Sequence, residues 1–478
     1  MKKKNNNKPV IGYAPTRRSV FSREDAIKYK GLILDKIKSY NFKIVDIDDI
    51  CEDGLLVSEE DTDNVIKKFK ENNIDCVFSP HCNFGTEYAV AKVAKEMQKP
   101  FLLWGPRDEA PLKDGTRLRD TQCGLFATSK ILQRYDVPFT YIVNSRIEDV
   151  IFERGFLNFI KAVNVVKEFR KMKIGQIGLR PGVFWTVICN EGELLDKFNI
   201  EIVPFDLFEV VKAAEELLNK PDEYFNTTYE LIKNSFEIGV DDYSLKKIVA
   251  LKEAMKKIAL DNDLSALCIQ CWNTLQSMYG IVPCFANGLL TDDGIPVICE
   301  TDINGAISSV IAKAAVLNET PPFFADLTIR HPSNDNGELL WHCGPFPPSL
   351  KRADQKVKIA NHWILESHCP GIGDFELKGG DISVVRFESH KGNYFLFCGH
   401  AKGIEGPKTL GTYLWIGVNN WPAWEQKLIN GPYIHHIAGI HKKIAPVLYE
   451  AIKYIKGVEL DLIDPTESEI RNWLYLGL

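Results

Sequence analysis

Two textures of apolar and polar positions divide the chain. Up to about residue 315, short apolar runs of strand length alternate with longer stretches whose apolar residues recur at helical spacing. The runs Pro9–Ala14, Lys43–Ile47, Asp75–Ser79 and Pro100–Trp104 read as strands, with helices over Arg23–Tyr40, Thr62–Asn72 and Glu87–Met97. A long helix over Val150–Met172 leads into a second series of strands: Lys173–Leu179, Ile200–Pro204, Ala266–Gln270 and Ile295–Cys299. Helix Asp206–Leu218 and two more within 221–259 fill the intervals. Strands alternating with helices of this length predict parallel βαβ units. From about Pro321, prolines, glycines and short alternating runs take over: Leu339–His342, Ile382–Glu388, Tyr394–Cys398 and Tyr413–Val418, with an amphipathic helix near Lys443–Lys456. The expected fold class is α/β, with two doubly wound parallel-sheet domains (1–170 and 171–315) and a β-rich C-terminal domain (316–478).

Composition narrows the function classes. The 478 residues are 45% apolar and 26% charged with net charge −6, which argues for a multidomain globular enzyme and against a nucleic-acid partner. No apolar run approaches the roughly 18 residues that span a bilayer, so no membrane partner is expected. Of twelve cysteines, only Cys268 and Cys271 have CxxC spacing, and the second pair of a zinc site is missing. The polar segment Met1–Lys8 reads as a frayed tail rather than a signal peptide, and the cysteines as reduced thiols of a cytoplasmic protein.

Candidate chemistry concentrates in Ile295–Val310. A buried strand runs into Glu300 and Asp302, whose spacing of two puts both carboxylates on one side of an extended chain. Carboxylates at the C-terminal mouth of such a strand are where α/β proteins place their chemistry, although Asp302 also reads as a helix cap, helped by Asn304. Arg17, Arg18, Arg107 and Arg180 follow predicted strand ends, where loops carry function. His435 and His436 precede the last helix; adjacent residues of a strand face opposite ways, so one of the two is expected to reach a shared site. Neither GxGxxG nor GxxxxGK[ST] follows any strand, which removes the usual support for nucleotide binding.

The ordered set Ile11-Gly-Tyr-Ala-Pro-Thr-Arg17-Arg18, Gly105-Pro-Arg107-Asp108, Ile177-Gly-Leu-Arg180-Pro-Gly182, Glu300-Thr-Asp302-Ile-Asn304-Gly305, Phe324-Ala-Asp326, Trp341-His342-Cys343-Gly344 and His435-His436 spans nearly the whole chain. It resembles the L-fucose isomerase and L-arabinose isomerase superfamily. The resemblance implies a metal-dependent aldose–ketose isomerase using Mn²⁺ or another divalent ion, and a homo-oligomer, trimer or hexamer, in which first-domain residues complete a neighbour's pocket. Matched motif to motif, Asp302 and His436 fall on metal ligands, with Glu300 as base or third ligand. Trp185, Gln270, Trp272, Asn304, His342 and His435, with the four arginines, would bind the sugar.

One departure from the family stands out. Its second acidic residue usually precedes the Glu-Thr-Asp motif, yet Cys268–Leu290 contains no Asp or Glu, and Gln270 or Asn287 stands there instead. The arginines make a sugar bearing an anionic group, such as sulfoquinovose, a candidate substrate. An epimerase or lyase working through the same enediolate, or a catalytically silent sugar-binding protein, is the alternative.

Overall fold

The computed structural model describes residues 8–364 and 368–476. The tail expected at Met1–Lys8 lies, apart from Lys8, outside them. Two compact units share the chain. One takes it up to Lys167, with Pro446–Lys456 and the segment from Glu467; the other holds Glu168–Ala445 and Gly457–Thr466.

In the first unit, β1 (Val10–Tyr13), α1 (Arg23–Lys38), β2 (Lys43–Val45), α2 (Glu59–Glu71), β3 (Cys76–Pro80), α3 (Glu87–Met97), β4 (Phe101–Trp104), α4 (Thr121–Arg134) and β5 (Thr140–Tyr141) precede the long α5 (Val150–Arg170). The strands form a parallel sheet in the order β2-β1-β3-β4-β5. Local sequence sets the ends: the Ser58 hydroxyl and the Asp61 carboxylate close a capping box on α2. Order reverses between β1 and β3, so the loops carrying Arg17 and Arg18 and the one starting at His81 flank the crevice where such sheets bind ligands.

The second unit opens with β6 (Lys173–Ile177), α6 (Glu191–Phe198), β7 (Glu201–Phe205), α7 (Leu207–Asn219), α8 (Glu223–Ser235), β8 (Glu237–Ile238), α9 (Asp242–Asp261), β9 (Ala266–Ile269), α10 (Thr274–Tyr279), α11 (Cys284–Asp292), β10 (Val297–Cys299) and α12 (Ile303–Ala314). Strands β10-β9-β6-β7 make a second parallel sheet, whose order reverses between β6 and β9. Next come β11 (Phe323–Arg330), β12 (Gly337–His342), β13 (Lys358–Asn361), β14 (Pro370–Glu376), β15 (Asp381–His390), β16 (Asn393–Gly403), β17 (Thr412–Gly417), α13 (Trp421–Asn430) and β18 (His436–Ile440). Six of these close on themselves through antiparallel pairs, β16-β15-β18-β11-β12-β17, because β17 also pairs with β16. The β-rich segment is therefore a barrel. α12, buried along nearly its whole length, packs on barrel strands β15 and β18.

The helix expected at Lys443–Lys456 is shorter, α14 (Ala445–Ala451), and belongs to the first unit. After it, β19 (Val458–Asp464) returns to pair with β16. The strand expected to begin at Ile295 begins at Val297.

Candidate active site

Burial and register bring three acidic groups to one histidine. Asp302 caps α12, its Oδ1 accepting from the Gly305 amide at 2.9 Å. Its backbone is not reached by an extended chain: Glu300 and Thr301 have φ of 64° and 52°. Two successive left-handed non-glycine residues are costly and cluster at functional sites. They swing Glu300 away from Asp302, so the shared face expected from i, i+2 spacing does not form. The two carboxylates meet His436 on different ring nitrogens instead.

His436 opens β18, and β11 sets Asp326 directly opposite it. Its Nδ1 lies 3.0 Å from Asp302 Oδ2. Its Nε2 lies 3.1 Å from Glu300 Oε2 and 3.4 Å from Asp326 Oδ1. The other Glu300 oxygen, Oε1, accepts from Trp272 Nε1 at 3.1 Å. Asp326 Oδ1 is buried without a hydrogen-bond partner.

Behind Asp302 stands Arg386 of β15, fully buried. Its Nη1 and Nη2 donate to the two Asp302 oxygens, and its Nε and Nη2 donate to Glu388 Oε2 at 3.0 and 2.6 Å. Glu388 Oε1 accepts from Asn304 Nδ2 at 2.6 Å. Asp302 thus accepts from Gly305 and Arg386 and faces His436, which leaves it little capacity for another partner.

The titration behaviour follows from these contacts. Burial alone would raise Asp302, but Arg386 and His436 hold it well below the usual carboxylate range. Burial likewise works against Glu300, and His436 lowers it. At Asp326 burial wins and pushes the carboxyl up to about 6, against His342 and His436. His436, opposed by burial, is raised to about 9 by Asp302, Glu300 and Asp326. Four carboxylates face one guanidinium and one imidazole, so the cluster is short of positive charge. A divalent cation at Nε2 would supply it and would meet the unpartnered Asp326 oxygen. An oxygen-rich donor set completed by imidazole suits Mn²⁺ and similar ions. Among the described residues, Asp326, His435 and His436 also bring ligand atoms within 4.8 Å of one another, so both adjacent histidines reach this site.

Residues 12–170 match the family model described as fucose/sulfoquinovose isomerase, N-terminal domain. A sulfoquinovose isomerase of Priestia aryabhattai is 26% identical over 446 residues, 92% of this chain and 96% of its own. Another, of Alkalicoccus urumqiensis, is 24% identical over 402 residues, 83% and 88% of the two chains. The N-terminal match and the similarity along most of the chain support the fucose isomerase superfamily and an aldose–ketose isomerase.

The residues singled out from sequence have different fates. Glu300, Asp302, His435 and His436 come together, Trp272 holds Glu300, and Asn304 holds Glu388. Gln270 does not join them: its Oε1 accepts from the Leu179 amide at 3.0 Å and its Nε2 donates to Thr274 at 3.1 Å. Asn287 is buried with its Nδ2 3.5 Å from Cys299 Sγ. Cys268–Leu290 brings no carboxylate to the cluster, whereas Asp326 enters it from the barrel. His342 is buried, with Phe324 between it and His436 at ring-centroid distances of 5.7 and 5.0 Å. Trp185 is exposed and donates to the Gly182 carbonyl. Arg180, half-buried after β6, donates to the carbonyls of Pro181 and Phe184 and forms no ion pair among the described residues.

In the first unit, Arg17 pairs with Glu52 at 3.2 Å and Arg18 with Glu87, whereas Arg107 forms no ion pair among the described residues. Sequence reasoning placed no role on Asp326, Arg386 or Glu388. The available signal was a charge inside an apolar strand run, Phe323–Arg330 and Asp381–His390.

Proposed function

We propose that this aldose–ketose isomerase acts on sulfoquinovose, a hexose with a sulfonate at C6, with Mn²⁺ held by Glu300 Oε2, Asp326 Oδ1 and His436 Nε2. The observation that carries the substrate is similarity along nearly the full length to isomerases named for sulfoquinovose. The metal reading is supported by the convergence of both carboxylates on one ring nitrogen. Asp302 then orients the ring through Nδ1 rather than binding the ion, the usual role of a carboxylate behind a metal-bound histidine.

When bound, the ion supplies a Lewis acid for the C1 and C2 oxygens of the open-chain sugar. Asp326 takes the C2 proton, which exchanges with solvent, and delivers a proton at C1 through an enediolate. Glu300, steadied by Trp272, moves the hydroxyl proton from O2 to O1. Asp302 and Arg386 keep His436 in one tautomer and orientation. The site stands where barrel strands meet the mouth of β10, and the loops after β6 and β9 flank the crevice beside it.

Arg180 is the proposed sulfonate contact. It is a half-buried cation with no carboxylate partner among the described residues, on the loop after β6. Phe184, whose carbonyl it holds, packs edge-on against Trp272 at 5.3 Å, and Trp272 bonds Glu300. Replacing it, Arg180→Met, is expected to lower kcat/KM for sulfoquinovose about 10- to 150-fold, the value of a charge-assisted contact. Turnover of the neutral aldose lacking the sulfonate should be unchanged. Equal loss on both sugars would assign Arg180 a structural role.

Chelation should remove activity, and Mn²⁺ should restore it together with a higher melting temperature; at 100 times Kd the bound ion adds about 2.7 kcal/mol. Full activity after exhaustive chelation would contradict the metal assignment. The proposed assembly is a trimer or hexamer in which Arg107 of one subunit serves another's pocket. Light scattering on the active enzyme should give three or six subunits; an active monomer would contradict it. Twelve free thiols suit a reducing compartment such as the cytoplasm.

A further inference from the structure

A string of sulfur atoms lies beside the acidic cluster and takes no part in the mechanism above. Cys343, half-buried, follows β12 directly; Cys284, fully buried, opens α11. Their Sγ atoms are 3.6 Å apart although 59 positions separate them. His342 Nδ1 accepts from the Cys343 amide at 2.9 Å and stands 3.2 Å from its Sγ. In the neutral ring this nitrogen therefore carries no proton, and it faces the thiol as a base. A base on one side and a second thiol on the other is the arrangement of a reactive cysteine with a resolving partner.

We propose that Cys343 is a peroxide-reactive thiol and Cys284 its resolving partner, so that oxidation closes a Cys284–Cys343 disulfide. The Cys343 thiolate attacks one oxygen of a hydroperoxide. The O–O bond breaks, a sulfenic acid forms on Cys343, and the departing oxide takes up a proton as water or alcohol. Cys284 sulfur then attacks the sulfenyl sulfur, the S–O bond breaks, and hydroxide leaves as water with the Cys284 proton. Two thiols lose two electrons and the peroxide gains them. The sulfurs must close from 3.6 Å to about 2.05 Å, a movement of side-chain scale.

Electrostatics divide the roles the same way. The hydrogen bond with Cys284, followed by His342, holds the Cys343 thiol well below its ordinary value despite burial. Hydrogen bonds with Cys299 and Cys343, together with burial, push Cys284 well above. The partly accessible thiol is the nucleophile, and the enclosed one waits for it.

The test treats the full-length holoenzyme with hydrogen peroxide, blocks remaining thiols by alkylation and maps peptides without reduction. A Cys284–Cys343 cross-linked peptide should form before exposed Cys123 is modified, and dithiothreitol should reverse it. Cys343, flanked by a base and a second thiol, should react at least several-fold faster than exposed Cys123. In Cys284→Ser the sulfenic acid should persist on Cys343 and be trapped by dimedone. In Cys343→Ser, Cys284 should stay alkylatable. Oxidation of Cys123 while Cys284 and Cys343 both remain alkylatable would overturn the proposal, as would overoxidation of Cys343 beside a free Cys284 thiol. The readout is the disulfide itself, so it stands or falls independently of the substrate.

Discussion

Asp326→Asn is expected to lower turnover by roughly 10²–10⁴-fold from the lost proton acceptor alone, and to weaken metal binding as well. The amide is nearly isosteric, and Asp326 Oδ1 has no hydrogen-bond partner to lose, so the melting temperature of the metal-free protein should stay close to wild type. Asp302→Asn gives the contrast. Its carboxylate is committed to Gly305, Arg386 and His436, so its loss should act through ring orientation, with about 10- to 100-fold effects on metal affinity or activity. That variant should also destabilise the fold, because an amide nitrogen then faces a guanidinium. Metal content by elemental analysis, with kcat for both variants, separates the roles. Asp326→Asn with full metal and turnover, beside an Asp302→Asn that has lost both, would make Asp302 the ligand.

Arg386→Met should cost about 3–5 kcal/mol of stability, the price of leaving buried charges without their partner. Arg386 and Asp302 are fully buried, and the guanidinium also serves Glu388, so no water replaces it. The loss should appear as a lower urea midpoint for the unit that carries the barrel, followed by tryptophan fluorescence. Adding Glu388→Gln removes one stranded charge, so the double variant should recover part of the loss, a non-additivity expected of groups in one network. A single variant within about 1 kcal/mol of wild type would show the network to be dispensable.

The parallel sheets were legible because strand and helix periods alternate over whole βαβ units, and Glu87–Met97 matches the helix expected there. The barrel was legible only as short strands. Its closure depends on β11 pairing with β18 and β12 with β17, matches between strands far apart in sequence that no local pattern encodes. Glu300 and Asp302 stood out as charges at the end of an apolar run. Where each points did not, since that follows from two left-handed residues that neither glycine nor asparagine signals. Asp326 was quoted within a motif yet given no role, because its meaning comes from register: it sits opposite His436 across β11 and β18. Arg386 and Glu388 alternate with apolar residues along β15, which reads as the solvated face of a strand until the barrel and α12 enclose it.

The most direct measurement is proton NMR of sulfoquinovose incubated with the Mn²⁺-loaded enzyme in D2O. The account predicts the 6-sulfonated ketose with deuterium at C1, formed by wild type and not by Asp326→Asn. Sugar that binds yet shows neither ketose nor deuterium exchange at C2 would contradict it.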